Sequence, residues 1–250
     1  MTEPFDPSGG WLAHELAKHA SEEVLHLTSR DIATAAQADR GVDDGGVWFR
    51  VVAASGRVVE SRKLRGVVNR ICSSPGALTH GMGGRTTEAP SLGAPLMRWL
   101  HRWPGPVLNR PNVDGLSGDF RPSFWWLDHA VRAGFAVPRS QPDFGDRSAP
   151  SGDPASAWVA VAGDDVHALD DPGRVIAMSL CSRCRRLAHA AGAAILGIEA
   201  ASTHTGEWTF GGASLRPDLS RGGEPLVRSV MRALAMGHMA GGNLRARQVP

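Results

Sequence analysis

The chain has 250 residues and a formal net charge of +2, with 42% hydrophobic and 21% charged residues, which is typical of a globular protein with a substantial core. So small a net charge argues against a nucleic acid or a membrane surface as the partner. No stretch approaches the roughly 20 apolar residues that a membrane span needs. The N-terminus carries early acidic residues and lacks the apolar region of a secretory signal, so we expect a cytoplasmic protein.

The first half of the sequence alternates short apolar runs with helical segments. Residues 1–23 are expected to form a loose arm or a short amphipathic helix, and a strand at 24–30 precedes a helix that Gly41 ends. The β-rich runs 45–53 and 56–62 predict a hairpin. Further along, we predict short buried strands at 66–71 and 106–111, helices at 92–103 and 120–134, and an extended segment at 136–141.

A linker divides the chain at residues 142–156, which are rich in Pro, Gly, Ser and Asp and nearly free of apolar residues. The second half is predicted to contain a hairpin (157–164 with 165–169), a long helix (174–192), a second strand pair (193–201 with 205–214) and a closing helix (223–240). The alternation of strands and helices favours an α/β chain, with an N-terminal α/β unit and a smaller α+β unit.

Several short motifs follow one another in a characteristic order. GVVNRI (66–71) and PVLNRP (106–111) end strands in an Asn-Arg pair, and WWLDHAVRAGFAVPRSQ (125–141) is a helix leading to a Val-Pro turn. AWVAVAGDDVHAL (157–169) and GEWTFGGASLRPDLS (206–220) complete the series. Their order and spacing resemble the ATP-grasp superfamily, in particular the branch of ribosomal-protein glutamate ligases and peptide-modifying ligases. The resemblance covers nearly the whole chain, although each motif alone is weak.

The resemblance implies a pre-ATP-grasp-like α/β domain followed by a shortened ATP-grasp C-terminal α+β domain. In the family, a nucleotide-binding lid subdomain with a phosphate-binding lysine lies between these two parts. Here only the linker 142–156 fills that place, and fifteen mostly polar, Pro-rich residues without a lysine cannot form a strand pair over a nucleotide. The expected division is an arm (1–23), a first domain (24–141), the linker, a second domain (157–240) and a tail (241–250).

The residues that would hold magnesium in the family are also changed. Its members have Glu-x-Asn on a late strand, whereas this chain has Gly-Ala-Ser at 212–214. Magnesium requires near-octahedral oxygen ligands, usually with at least one carboxylate. Only Glu199 stands where the resemblance implies a metal carboxylate, and Arg121 and Pro122 replace a lysine near the start of the preceding helix. Because phosphoryl transfer depends on positioning and charge neutralisation, the resemblance implies ancestry but does not imply activity, and no cofactor is expected.

The CSRC motif has the spacing of a metal-binding or redox pair, Cys181 and Cys184. Zinc usually takes four protein ligands, and His189 and Cys72 could complete such a set on paper. The motif lies inside a predicted helix, where cysteines three positions apart share one face and often simply pack. A redox pair usually lies at the start of a helix that follows a strand. Packing is therefore the favoured interpretation, with metal binding by these cysteines as the alternative.

Polar residues follow two strands that resemble parallel strands of an open sheet. Asn69 and Arg70 follow the first strand, and Asn109 and Arg110 follow the second. Ligands of open α/β sheets bind at such strand ends, which makes these four residues candidates for binding a substrate. The alternative is structural: Asn and Arg at these positions cap and bridge the loops.

Three functional hypotheses remain at this stage. The first is a degenerate, non-catalytic protein that binds a peptide, a small metabolite or a partner protein, and that forms a homodimer through the surface that the missing lid leaves exposed. The second is an active ATP-dependent carboxylate–amine ligase, with ATP and magnesium as cofactors, or a transferase. Its weak candidates for catalysis are Glu199, Asp164 and Arg216, with Glu199 also the candidate metal ligand. The third is half of a split enzyme whose lid a second chain supplies.

Overall fold

The computed structural model describes residues 1–43, 46–72, 93–112, 115–117, 121–137, 156–171, 174–203 and 206–245, the last nine of these as helical backbone only. Its helices are α1 (Pro7–His19), α2 (Ser29–Ala33), α3 (Gly93–Arg102), α4 (Ser123–Ala133), α5 (Met178–Ala190) and α6 (Gly223–Arg245). Its strands are β1 (Gln37–Asp43), β2 (Gly46–Val52), β3 (Val58–Glu60), β4 (Val67–Val68), β5 (Val107–Leu108), β6 (Ser156–Ala162), β7 (Asp165–Ala168), β8 (Ile195–Ser202) and β9 (Trp208–Ser214). This mixture of helices and sheets confirms the predicted fold class.

A four-stranded antiparallel sheet, in the order β7-β6-β8-β9, forms the centre of the second half. Every residue of β6 is buried, because helices cover both faces of the sheet. Val159 and Val161 pack on the side of α4 and α5, whereas Trp158 and Ala160 pack on the side of α1 and α6. The alternation follows from the two-residue repeat of a strand.

The first half contains two smaller sheets. Strands β1, β2 and β3 form an antiparallel sheet, and β4 pairs in parallel with β5. One face of the antiparallel sheet packs on α3, where the rings of Phe49 and Trp99 stack with their centroids 5.5 Å apart. The predicted hairpin of β2 and β3 is confirmed, as is the parallel arrangement of the strands that end in Asn69 and Asn109.

Three predictions for the N-terminal region were wrong. Residues 1–23 are not a loose arm, because α1 buries Leu12 and Leu16 against α6 and β6; the alternative of a short helix is confirmed. The stretch 24–30 has only an isolated bridge at Thr28, whose side chain instead starts α2. The predicted helix ends at Ala33, and Gly41 lies in β1 opposite Trp48 rather than at a helix end.

The boundaries of the second half differ in detail from the prediction. Helix α5 begins at Met178, four residues later than expected, and α6 continues to Arg245, so the first half of the expected tail is helical. Of the linker only Ser156 lies within the described residues, and it already belongs to β6. The division into domains stays a prediction. None of the helices in the described part of the chain combines the length and apolar character that a membrane span requires.

Candidate functional site

The two asparagines at the strand ends bind main chain, and Asn109 connects the halves of the molecule. Asn109 adopts a left-handed backbone conformation (φ 58°), and its Nδ2 donates to the carbonyl oxygens of Ile195 (3.0 Å) and Leu215 (3.3 Å). Its Oδ1 accepts the N–H of Ile195 at 2.9 Å. Asn69 Nδ2 donates to the carbonyl oxygens of Asn109 (2.9 Å) and Leu116 (2.6 Å). Both side chains are buried and bind main chain. Asn109 positions β8 relative to β5, whereas Asn69 holds the backbone of Asn109 and Leu116 within the first half.

Arg70 forms a buried ion pair with Asp6 at the start of α1. Its Nε lies 2.7 Å and its Nη2 3.1 Å from the two carboxylate oxygens, and Nη2 also donates to the carbonyl oxygen of Pro217 at 3.2 Å. Burial raises the pKa of Asp6, but the hydrogen bonds and charge of Arg70, the N–H of Gly9 and the charge of Arg216 together hold that pKa below its ordinary value. The pair therefore joins α1, β4 and the turn after β9.

Arg110 caps the C-terminal end of α3. Its Nη1 donates to the carbonyl oxygens of Leu100 (2.7 Å), His101 (3.0 Å) and Trp103 (2.9 Å), and its Nη2 donates to that of Gly105 (2.8 Å). A guanidinium group suits this position because the last carbonyl groups of a helix lack partners within the helix. For all four strand-end residues these contacts favour the structural alternative, and substrate binding stays a prediction.

The strands β8 and β9 place the remaining candidate residues on one face of the central sheet. Glu199 is 4% exposed and lies opposite Gly212 on β9 and Trp158 on β6, so the three share a face. Ser214, two residues further along β9, points to the same face and is 5% exposed. The Oγ of Ser214 accepts the N–H of Arg216 at 3.1 Å. Ser214 therefore shares a face with Glu199 and binds the backbone of Arg216.

The two glycines of β9 differ in the space around them. A Cβ atom added at Gly211 would lie 3.1 Å from Cγ and 3.3 Å from the backbone oxygen of Glu199. A Cβ atom added at Gly212 would have no atom within 4 Å. A register shift between Glu199 and Ala200 accounts for the difference, because it places Gly211 against the backbone of β8. The position where the resemblance implies a glutamate is therefore open to a side chain, and Gly212 has none.

One other candidate residue, Asp164, lies away from Glu199. Asp164 lies in the turn after β6. The last residue of β6, Ala162, pairs with Ile195, and Ile195 precedes Glu199 by four residues along β8. Its carbonyl oxygen accepts from Arg185 Nε at 2.6 Å. The structure thus separates Asp164 from Glu199, with which it was grouped as a catalytic candidate.

Arg121, which replaces a family lysine, is held by the protein itself. Its Nη2 donates to the carbonyl oxygen of Ala191 at the end of α5 (2.7 Å), and its guanidinium carbon lies 4.4 Å from the centre of the Trp125 ring. Both contacts stabilise a cation against α4 and α5. The side chain therefore serves the packing of these two helices.

The residues in the described part of the chain do not fit a magnesium–nucleotide site. No group of three His, Cys, Asp or Glu side chains lies close enough there to hold a metal ion. The sequence contains only two lysines, Lys18 and Lys63, and both precede the second half. The absence of lysine from residues 64–250 is a sequence signal that motif comparison overlooked, and it removes the usual cation for nucleotide phosphates from the whole ATP-grasp-like half.

The cysteines of α5 pack into the core. Cys184 is fully buried, and burial and the neighbouring Cys181 raise the pKa of its thiol. Cys72 lies in the first half, where its Sγ is 3.5 Å from the Oγ of Ser117, and His189 is exposed at the end of α5. Among the described residues neither completes a metal site with the pair. This arrangement favours packing, and metal binding stays an untested prediction.

Sequence reasoning missed a cavity of about 1010 Å³ in the first half. It lies between α1, α3, α6 and the strands β3 and β4, and its walls include Leu12, Leu16, Phe49, Trp99 and Leu234. No local pattern could have predicted the cavity, because its walls come from at least five separate elements of the chain. A volume of this size accommodates a small molecule or several side chains.

Comparisons with known proteins support the fold. No family model matches the sequence, and no curated protein matches it. Among solved structures, macrocyclase MdnC from Microcystis aeruginosa MRC, bound with precursor peptide MdnA, is 12% identical with a TM-score of 0.68, covering 94% of this chain and 98% of the other. A RiPP-associated ATP-grasp ligase from Chryseobacterium gregarium, in complex with ADP and a leader and core peptide, is 11% identical with a TM-score of 0.61, covering 100% and 96%.

A third solved structure agrees with these two. ATP-grasp ligase PsnB, complexed with a minimal precursor, is 15% identical with a TM-score of 0.62, and the match covers 94% of this chain and 97% of the other. At such low identity the similarity establishes the architecture. It extends over almost the full length of all three proteins, as the motif order predicts. The chain therefore has the fold of the peptide-modifying ATP-grasp ligases.

Proposed function

We propose that this protein binds a peptide through an ATP-grasp fold and does not itself catalyse phosphoryl transfer. The observation that carries the proposal is the pairing of Glu199 with Gly212 on the face where the family resemblance implies two metal-binding side chains. A peptide is favoured over a small metabolite because all three compared proteins have a peptide or precursor bound. Those three proteins support a peptide as the ligand, and the residues of this chain support the absence of catalysis.

The charges of the side chains on β8 and β9 disfavour catalysis of phosphoryl transfer. A transferred phosphoryl group requires metal ions and cationic side chains that neutralise its oxygens. On the face of β8 and β9, Glu199 is accompanied by a glycine and by Ser214, whose neutral hydroxyl is a weak substitute for a carboxylate or amide oxygen. Arg121 already binds the end of α5. On this face of β8 and β9 the described residues thus offer one carboxylate to a magnesium–nucleotide complex, and the second half of the sequence contains no lysine.

Titration calorimetry with ATP and magnesium tests this proposal. We expect no heat of binding up to millimolar nucleotide for the full chain. Micromolar binding would overturn the proposal, because it would show that other residues supply the missing donors.

A gain-of-function pair of variants tests the same site from the opposite side. Gly212→Glu with Ser214→Asn adds a second carboxylate beside Glu199, and the open space at Gly212 accommodates the new side chain. We expect saturable terbium luminescence, sensitised by Trp158 on the same face, in this variant but not in the parent. Gly212→Gln with Ser214→Asn is the matched control, since it has the same shape without the charge. Equal luminescence in both variants would show that the ion binds elsewhere.

An active ATP-dependent carboxylate–amine ligase is the second candidate. It is favoured by the extent of the structural match to ligases and by the buried position of Glu199 opposite β9. In that case ATP and magnesium would be the cofactors. ADP release with a panel of carboxylate and amine peptides, lost in Glu199→Gln, would establish this activity. Co-purification with a second chain that restores ADP release would indicate a split enzyme, and sizing chromatography would test the expected homodimer.

A further inference from the structure

Strand β3 presents an open edge to the large cavity of the first half. It is an outer strand of the sheet β1-β2-β3, and its three residues Val58, Val59 and Glu60 all line the cavity. Hydrogen-bonded pairs alternate along an antiparallel ladder. The N–H of Ala53 binds the carbonyl oxygen of Arg57 at 2.9 Å, so Val59 is the next residue whose backbone groups bind β2.

The backbone groups of Val58 and Glu60 consequently point away from β2, toward the cavity side. In the part of the chain that the structure describes, no hydrogen bond joins these two N–H and two C=O groups to another residue. Val58 is 41% exposed, so the edge is accessible from outside. An accessible strand edge with unpaired backbone groups can accept a further strand.

The parallel strand β4, beside the same cavity, has no comparable edge. Strand β4 also lines the cavity, but Met1 occupies its outer side: the Met1 amine donates to the carbonyl oxygen of Val68 (2.7 Å) and the N–H of Arg70 donates to that of Met1 (2.9 Å). Backbone pairing at the cavity is therefore available along β3.

The side chains around this edge define what an added strand would carry. Val59 lies opposite Val51 on the face that packs into the interior, and both line the cavity. A residue placed beside Val59 on an added strand would point to the same face. It would meet apolar walls that include Leu16, Leu96 and Trp99. A volume of about 1010 Å³ accommodates a large apolar side chain with parts of its neighbours.

We propose that an extended peptide segment binds along β3 as a fourth strand of this sheet, with a large apolar side chain in the cavity. This mode of recognition combines main-chain hydrogen bonds for affinity with a side-chain pocket for selectivity. The inference rests on the proposed function only for the choice of a peptide as the ligand, since the cavity lies apart from Glu199 and β9.

Fluorescence anisotropy with a fluorescein-labelled Thr-Val-Leu-Val-Thr amide tests the proposal on the full chain. With the leucine beside Val59, the two valines exchange backbone hydrogen bonds with Val58 and Glu60. N-methylation of both valines should therefore weaken binding about tenfold or more. N-methylation of the leucine, whose N–H points away from β3, should change the dissociation constant less than about threefold.

Protein variants locate the bound peptide. Val58→Pro removes an outward N–H without removing a β2–β3 hydrogen bond, and should weaken binding severalfold relative to Val58→Thr. Ala13→Trp fills the cavity from α1 and should abolish binding, whereas Ala17→Trp, on the exposed side of the same helix, should not. Thermal unfolding of each variant establishes that it is folded. If Val58→Pro does not fold, the N-methylated peptides still decide the question.

Several outcomes would overturn the proposal. The first is the absence of saturable binding at millimolar peptide. The second is equal weakening of binding by both N-methylation patterns, and the third is binding that Ala13→Trp leaves unchanged. A dimer by sedimentation that Val58→Pro dissociates would assign the β3 edge to a second copy of the chain instead. The result is separable from the proposed function: micromolar ATP binding would overturn the latter and leave the peptide experiment valid. Failure of the peptide experiment would leave the calorimetric result valid.

Discussion

Two neighbouring regions differ in their polar residues: the strand ends of β4 and β5, and the strand pair β8–β9. The turn Leu215–Pro217 joins them. At the strand ends, Asn69, Arg70 and Asn109 are buried and bind main chain or Asp6. On β9, the positions where the family resemblance implies metal-binding side chains hold glycine and serine. One region has many polar groups that stabilise the fold, and the other places Glu199 beside glycine and serine.

This difference indicates which part of an ATP-grasp fold is structural. Hydrogen bonds hold β8 in position relative to the first half. Asn109 alone makes three of them, to Ile195 and Leu215. Four predictions test the contrast, in order of decreasing expected effect.

The largest effect is expected from Asp6→Asn. The substitution keeps an oxygen to cap α1 but leaves the charge of Arg70, which is 1% exposed, without a carboxylate. Breaking one partner of a buried pair costs about 3–5 kcal/mol. Urea unfolding should show this loss, whereas Glu224→Gln, which removes the exposed partner of Arg228, should leave stability nearly unchanged. A small effect of Asp6→Asn would mean that water reaches Arg70.

The same pair gives a pH dependence of defined sign. Because the pKa of Asp6 is lowered in the folded protein, its carboxylate contributes stability at pH values above its ordinary pKa of about 3.9. That contribution is lost as the pH falls through the lowered pKa. The difference in unfolding free energy between the parent and Asp6→Asn should therefore shrink below about pH 4. A constant difference would show that Asp6 titrates normally.

The second prediction concerns Asn109. Its replacement by alanine leaves the N–H and C=O of Ile195 and the C=O of Leu215 without their partner and places a Cβ at φ 58°. We expect a loss of about 3 kcal/mol in urea unfolding. Asn109→Gly removes the same hydrogen bonds but accepts the left-handed conformation, so it should be about 1 kcal/mol less destabilising. Equal losses would show that the backbone relaxes.

The third prediction compares the neighbouring glycines of β9. Gly211→Ala should destabilise by about 1–2 kcal/mol, because the new methyl group would press on Glu199 and the backbone of β8. Gly212→Ala should be neutral or slightly stabilising, because its Cβ enters open space and the unfolded chain loses entropy. Thermal unfolding of both variants measures the difference. The reverse order would contradict the bulge beside Glu199.

The smallest effect is expected at the cysteines. Burial raises the pKa of Cys184, so its thiol should resist a thiol reagent in the native protein at pH 8 and react only after unfolding. A chelator should leave the melting temperature unchanged if the CSRC motif packs as a helix face. Stoichiometric zinc in the purified protein, or rapid native labelling of Cys184, would revive the metal or redox interpretation.

Much of the fold could be predicted because local rules decide it. The apolar run of β6 and the helical spacing of α4 give each element its type, and Gly134, in a left-handed conformation (φ 94°), ends α4 as its position suggests. The polar stretch of β1 could not be predicted. It is a strand because it pairs along its whole length with β2 and because Gly41 leaves room for the ring of Trp48.

For the candidate site too, some features could be predicted from the sequence and others could not. The sequence by itself determined that residues 212–214 of β9 carry neither a carboxylate nor an amide side chain, and it indicated the ATP-grasp motif order. Only the tertiary structure decided that Arg70 pairs with Asp6, that Asn109 holds Ile195, and that β3 opens onto a cavity. These contacts join residues 64 and 86 positions apart, and no local pattern records which distant groups will meet.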